Sequence, residues 1–132
     1  MTYTPVILES PYSGNVQRNI RYARLCIRDC IFNHNEAPFA SHLIYTQALD
    51  DTQEAERWAG IQSGFAWSET VWEGHPLRRV FYVDFGYSRG MELGKKDAEK
   101  KGQEVVIRTL PPSLFELLET ERFEPQEWRI SD

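Results

Sequence analysis

Four short runs rich in β-branched or aromatic residues alternate along this chain with segments whose apolar residues recur every three or four positions. That alternation limits the folds open to it more than any other feature. The first run, Thr4-Pro5-Val6-Ile7-Leu8-Glu9-Ser10, stops at the turn residues Pro11-Tyr12-Ser13-Gly14-Asn15. From Val16 the period changes: Val16, Ile20, Ala23, Ile27, Cys30 and Ile31 share one helical face, and Arg18, Arg21, Arg24 and Arg28 form a separate stripe. Residues 38–45 predict a second strand, followed by a polar stretch over 46–53. The apolar positions Ala55, Trp58, Ala59, Phe65 and Ala66 then predict a helix over 52–67, in spite of Gly60 and Gly64. Gly74-His75-Pro76 breaks the chain before Arg79-Val80-Phe81-Tyr82-Val83-Asp84, the strongest strand signal by content. Ser88 is a helix N-cap ahead of residues 91–98, Gly102 closes that helix, and Glu104-Val105-Val106-Ile107-Arg108 reads as the last strand before Pro111-Pro112.

Strand and helix in strict alternation predict an α/β fold: an open, mostly parallel sheet of four to five strands with helices on both faces, Rossmann-like or flavodoxin-like. With 132 residues, the chain has the length of one domain. Residues 1–110 carry the alternating pattern. Residues 111–132 read as a short helix and a tail, bearing Phe123 and Trp128, that packs on the same domain or a neighbouring subunit. In sheets of this kind ligands bind beyond the carboxyl ends of the strands, which brings residues 10–15, 41–45 and 84–92 together as the expected site.

Charge and composition exclude several classes of function. A formal net charge of −5 gives a field that repels polyphosphate backbones, so a nucleic-acid polymer is not the expected partner. No apolar run approaches the roughly 18 to 20 residues of a membrane span. The opening MTYTPVILESPY has no basic-then-apolar leader pattern, and a soluble cytoplasmic protein is expected. Cys26 and Cys30 lie four apart on a helix with no His or Cys grouping beside them, which reads as two reduced core residues. His34, His42 and His75 have no metal-ligand spacing, and neither a P-loop nor a GxGxxG run is present, so neither a metal nor an organic cofactor is expected.

Two segments can carry chemistry. The turn Ser10-Pro11-Tyr12-Ser13-Gly14-Asn15 offers hydroxyls and backbone N–H groups at a helix N-terminus, the makings of an anion or sugar-phosphate seat, although a plain strand-to-helix turn needs the same residue types. The segment Asp84-Phe85-Gly86-Tyr87-Ser88-Arg89-Gly90-Met91-Glu92-Leu93-Gly94 places two carboxylates around a helix start. There Glu92 meets the positive end of the helix dipole, an arrangement that suits a nucleophile; a solvated glutamate and a turn-forming aspartate are the plainer account of the same residues.

The run Gly90-Met91-Glu92-Leu93-Gly94, set between a strand with a Ser/Gly loop and the later Ala98 and Gly102, resembles the glutamate motif of nucleoside 2-deoxyribosyltransferase-like proteins. That superfamily includes N-glycosidases of nucleoside monophosphates. Ser10-Pro11-Tyr12-Ser13-Gly14 is similar to its first substrate loop, and Ser41-His42 to the histidine that follows its second strand. The likeness spans residues 4–110 and looks closest to small uncharacterised bacterial and phage branches. It implies N-glycosidic cleavage or base exchange on a nucleoside or nucleoside 5′-monophosphate, with Glu92 as nucleophile at C1′, Asp84 as the acid for the leaving base and Tyr12 orienting carboxylate or sugar. Ser10, Ser13, Gly14, Arg18, His42, Ser88, Gly90 and Met91 would hold the substrate, and Trp67, Phe39 or Tyr45 would either stack on the base or belong to the core. Homo-oligomers and no cofactor are implied. One departure stands out: Gln62-Ser63-Gly64-Phe65-Ala66-Trp67-Ser68-Glu69 occupies the region where the better-characterised enzymes carry acidic residues. A nucleotide-binding module without turnover is therefore the alternative expectation.

Overall fold

Val6, Ile7 and Leu8 are each at most 2% exposed. A strand buried on both faces in this way belongs in the middle of a parallel sheet. The computed structural model, which describes residues 2–119, places β1 (Thr4–Glu9) between β2 (Glu36–Phe39) and β5 (Arg78–Tyr82), with β6 (Val105–Arg108) beyond β5. All three pairings are parallel, and the registers Ile7 to Phe39, Glu9 to Phe81 and Tyr82 to Arg108 align the carboxyl ends of the strands. The fold is α/β as expected, with four strands in its sheet. A separate two-stranded hairpin, β3 (Val71–Trp72) with β4 (His75–Pro76), turns through Glu73 and Gly74, both at positive φ.

The two faces of the sheet differ chemically. Val6, Leu8, Val80 and Tyr82 point to one side, where α1 (Val16–His34) covers them with Tyr22, Leu25, Cys26 and Cys30. Helix α5 (Pro112–Phe115) lies against α1, and Leu118 in the turn after it joins the same core. Both thiols are fully buried and free, and burial pushes the Cys30 thiol up to about 12, so these are core residues. On the opposite face, Glu9 meets α4 (Arg89–Lys101), Arg79 meets α3 (Glu54–Trp67), and Phe81 lies against the Tyr87 ring in the loop before α4.

Polar groups buried under α1 rotate it away from the simplest apolar face. Its buried residues are Asn19, Tyr22, Ala23, Leu25, Cys26, Asp29 and Cys30, whereas Val16, Ile20, Ile27 and Ile31 are only half-buried. Tyr22 and Asp29 face inward because each satisfies a partner there: the Tyr22 hydroxyl donates to Asp84, and Asp29 Oδ2 accepts from the Tyr82 hydroxyl at 2.6 Å. The Asn15 side chain caps the helix by accepting from the Arg18 N–H, and Asn35 ends it in the left-handed conformation.

Three local expectations are corrected. The second strand ends at Phe39, and residues 41–44 form the short helix α2 (Ser41–Ile44), continued by one tight turn over Tyr45–Gln47. Helix α3 begins at Glu54, and the strand read as far as Asp84 stops at Tyr82. Ser88 does cap α4, accepting from the Met91 N–H at 3.2 Å, and Gly102 closes that helix at φ 69°. The expected tail, including Phe123 and Trp128, lies outside the described residues. Among the described residues no helix is long and apolar enough to cross a membrane.

Candidate functional site

The loops that leave the carboxyl ends of β1 and β5, together with the helix that follows β2, converge on one cavity of about 110 Å³, several times the space a single water needs. The turn after β1 contributes Ser10, Tyr12 and Ser13, and α2 contributes Ser41 and His42. The start of α4 closes another side with Ser88, Gly90 and Met91. The far wall is the inner side of α3, with Glu56, Arg57, Gly60, Ile61 and Phe65, and the segment before it with Tyr45, Thr46, Leu49 and Asp51. Gly64 eases this closure: a Cβ there would lie 2.5 Å from Ser41 Oγ and 3.0 Å from Ser41 Cβ, so a side chain at that position would force Ser41 to shift.

At the floor sits Glu9, the last residue of β1, with a side chain 12% exposed. Its carboxyl rests against α4 at Gly94, where any Cβ would collide with Glu9 Oε2. Burial pushes the Glu9 carboxyl up to about 7, against the lowering pull of the Arg79 cation; the Asp97 charge adds to the rise. Arg79 Nη2 stands 3.8 Å from Glu9 Oε1, beyond hydrogen-bond distance. The cavity therefore holds a carboxyl that keeps its proton to much higher pH than an exposed glutamate does.

Beside it, Ser10 Oγ and His42 Nε2 lie 2.7 Å apart. Burial lowers the His42 imidazole to about 4, so it is neutral at physiological pH and its Nε2 hydrogen-bonds the serine. The two shifts act on stability with opposite signs. Glu9 binds its proton more tightly folded than unfolded, so its contribution is complete below about pH 4.5 and is lost as pH rises through 7. His42 binds its proton less tightly folded, so its contribution is complete above pH 6.5 and is lost as pH falls through about 4. Each is worth on the order of 3 kcal/mol over its full range, and between pH 4.5 and 6.5 they oppose each other. Urea unfolding across that window should show a Glu9→Gln variant losing stability on acidification relative to wild type, and a His42→Gln variant losing it as pH rises. Curves for the three proteins that stay parallel would refute both assignments.

Of the residues expected at the site, Ser10, Tyr12, Ser13, His42, Ser88, Gly90 and Met91 line this one cavity. Gly14 and Arg18 do not; the Arg18 guanidinium lies 4.0 Å over the Phe85 ring and bonds Asn19. Glu92 is exposed on α4 and outside the lining; the acidic residues that line the hollow are Glu9, Asp51 and Glu56, and of these Glu9 is the one whose carboxyl burial raises. Asp84 is also absent from the lining and is committed to structure: it accepts from the Tyr22 hydroxyl and, at 3.0 Å, from the Leu110 N–H. Among the aromatics, Tyr45 lines the cavity, while Trp67 stacks on Phe39 with centroids 5.2 Å apart and donates to the Tyr45 hydroxyl at 2.7 Å. The sequence signal for Glu9 was an acidic residue ending a strand otherwise buried on both faces, at the end where such sheets place their ligands.

A family model described as a domain of unknown function (DUF7768) matches residues 4–108. The chain belongs to that family. The DUF7768 match takes in all four strands of the parallel sheet and every residue of the cavity wall, and stops just short of α5. No curated protein and no solved structure matches the chain.

Proposed function

We propose that the cavity binds a nucleoside or nucleoside 5′-monophosphate and that Glu9 acts on its N-glycosidic bond, in the part that the motif resemblance gave to Glu92. The observation carrying this reading is the buried Glu9 carboxyl at the floor of a cavity that gathers the three loop segments of the resemblance. In its ionised form this carboxylate is poorly hydrated, and the positive charge that develops at C1′ as a glycosidic bond breaks would stabilise it. One Glu9 oxygen bonds to C1′ while the C1′–N bond breaks; the base leaves with the bonding pair and takes a proton from water. A second water then bonds to C1′ as the Glu9–C1′ bond breaks, its proton going to the hydroxide left by the first water, so the sum is hydrolysis to free sugar and free base. A second base in place of that water gives exchange. Tyr12, Ser13 and the start of α4 line the same cavity, and on this reading they would hold the sugar and any 5′-phosphate.

The test is a panel of deoxynucleosides, ribonucleosides and their 5′-monophosphates, scored chromatographically for free base. Base release by wild type and its loss in Glu9→Gln supports the reading. Release at the same background rate by both proteins from every compound removes it. One observation favours a second reading, a nucleotide-binding module without turnover: Asp84, the acid expected to protonate the leaving base, is held by Tyr22 and Leu110 away from the cavity. Calorimetric binding of a nucleotide recovered unaltered would establish that reading.

A further inference from the structure

Under the cavity floor lies a charged network that does not reach solvent through the cavity. Arg79 is fully buried on β5, with its guanidinium stacked 5.0 Å from the Phe65 ring centroid. Its Nη1 donates to Asp97 Oδ2 at 2.6 Å and to Gln103 Oε1 at 3.1 Å, while its Nε has no hydrogen-bond partner among the described residues. Asp97 is held in turn by Lys101 at 2.9 Å, and Lys101 Nζ donates to the Phe65 carbonyl and to Ser68 Oγ, tying α4 to the end of α3. Gln103 is fixed by its own donations to the Ser68 and Leu77 carbonyls. Two carboxyls thus compete for one cation, and the short contact belongs to Asp97.

We propose that Asp97 is a positioning residue for Glu9: by holding Arg79 at Nη1 it keeps that cation out of hydrogen-bond reach of the cavity carboxyl, and so decides how readily Glu9 binds a proton. The inference rests on reading Glu9 as the working carboxyl of the cavity. The charged and titratable groups around Glu9 are few. Arg79 faces it from β5 and Asp97 from α4, with Lys101 behind Asp97; His42 on α2, Asp51 before α3, and Glu56 and Arg57 on α3 share the cavity. Removing the Asp97 charge takes away a neighbouring anion and frees Arg79 to pair with Glu9, and both effects favour the Glu9 carboxylate. Removing the Lys101 charge leaves Asp97 uncompensated and tightens its hold on Arg79, which favours the protonated form.

The experiment is an NMR titration of the Glu9 side-chain carboxyl in carbon-13-labelled protein, the signal being assigned by its absence from Glu9→Gln. Wild type should titrate near pH 7. In Asp97→Asn the midpoint should fall by about 1 to 2 pH units, in Asp97→Glu it should return toward the wild-type value, and in Lys101→Gln it should rise. A midpoint in Asp97→Asn within a few tenths of wild type overturns the proposal. If Asp97→Asn does not fold, Lys101→Gln decides alone: an upward shift supports the proposal, and no shift or a downward one ends it. The titration needs no substrate, so the two readings fail separately. These shifts without base release leave the positioning role standing and remove the glycosidic reading, and base release without the shifts does the reverse.

Discussion

Glu9→Gln is expected to cut base release about 10³-fold or more while leaving the protein folded, and above pH 7 slightly more stable. The amide has nearly the shape of the carboxyl, so the contact with α4 at Gly94 is kept. What disappears is the charge that would meet C1′. Above pH 7 wild type must hold a buried anion whose nearest cation, 3.8 Å away, is shared with Asp97, and the variant does not. A gain in stability together with a collapse in turnover is the mark of a working group held at the expense of the fold. Measuring both on the same samples separates this from general damage, which lowers the two together. Full turnover in Glu9→Gln, or its loss in Glu92→Gln instead, would place the nucleophile elsewhere.

Glu36→Ala is expected to cost about 3 kcal/mol of stability with no direct effect on the cavity. Glu36 lies in β2 and Arg108 in β6, the two edge strands of the sheet, and their side chains meet on the side covered by α1. Arg108 donates to both Glu36 oxygens at 2.6 and 2.7 Å, and Arg78 approaches the same carboxylate at 3.4 Å. These hydrogen bonds hold the Glu36 carboxyl below its usual range in spite of the burial that acts to raise it. Truncating Glu36 leaves Arg108, 12% exposed, with Cys30 and Tyr82 as its remaining hydrogen-bond partners among the described residues. An uncompensated, partly desolvated cation is the costly product, more so than the loss of the pair itself. Because the folded carboxyl is the more acidic one, this contribution is present at neutral pH and fades as pH drops below the unfolded value. The check is a shift in the urea midpoint at unchanged slope. A loss under about 1 kcal/mol would mean that water replaces the carboxylate at little cost.

The fold was legible in the sequence where one periodicity ran unopposed. Val6-Ile7-Leu8 and Val80-Phe81-Tyr82 can hardly be anything but central strands beside helices of the length seen here, and Ser88 and Gly102 marked both ends of α4. It was misread where a short apolar run fits two structures. Residues 38–45 contain enough large side chains for a strand, but Ser41 and His42 are needed on a helical turn facing α3, and tertiary packing decided. The β3–β4 hairpin escaped because Glu73-Gly74, with both residues at positive φ, is a weak version of the usual two-residue turn signal.

At the site, the loops were legible and the acid was not. Serine, tyrosine and glycine after β1 announce a turn that can hold a ligand, and seven of the expected residues do meet at one cavity. Choosing between carboxylates needed the third dimension. Glu92 sits in the first turn of α4 and is exposed, while Glu9 lines the cavity with its carboxyl against Gly94, two positions after Glu92. Nothing local to either residue reveals that pairing, since it depends on how closely α4 packs on β1.

The contrast between the two sides of the sheet also bears on how this chain tolerates change. Apart from its buried ion pairs, the surface beneath α1 is secured by aliphatic and aromatic packing, whereas the surface beneath α3 and α4 carries Glu9, Arg79 and Asp97. Random libraries confined to Leu25, Cys26 and Cys30 on the inner side of α1 should therefore yield clones that differ in thermal robustness but keep the cavity wall, with Asn19 left unchanged because it holds the Tyr12 and Ser13 carbonyls. Libraries at Glu56, Arg57 and Ile61 of α3, which line the cavity, should alter its wall with little change in melting point, so long as Gly64, Gly94 and the Arg79–Asp97 pair are kept. With the apolar core under α1 and the cavity wall on α3 separated by one sheet, each can be varied with little disturbance of the other.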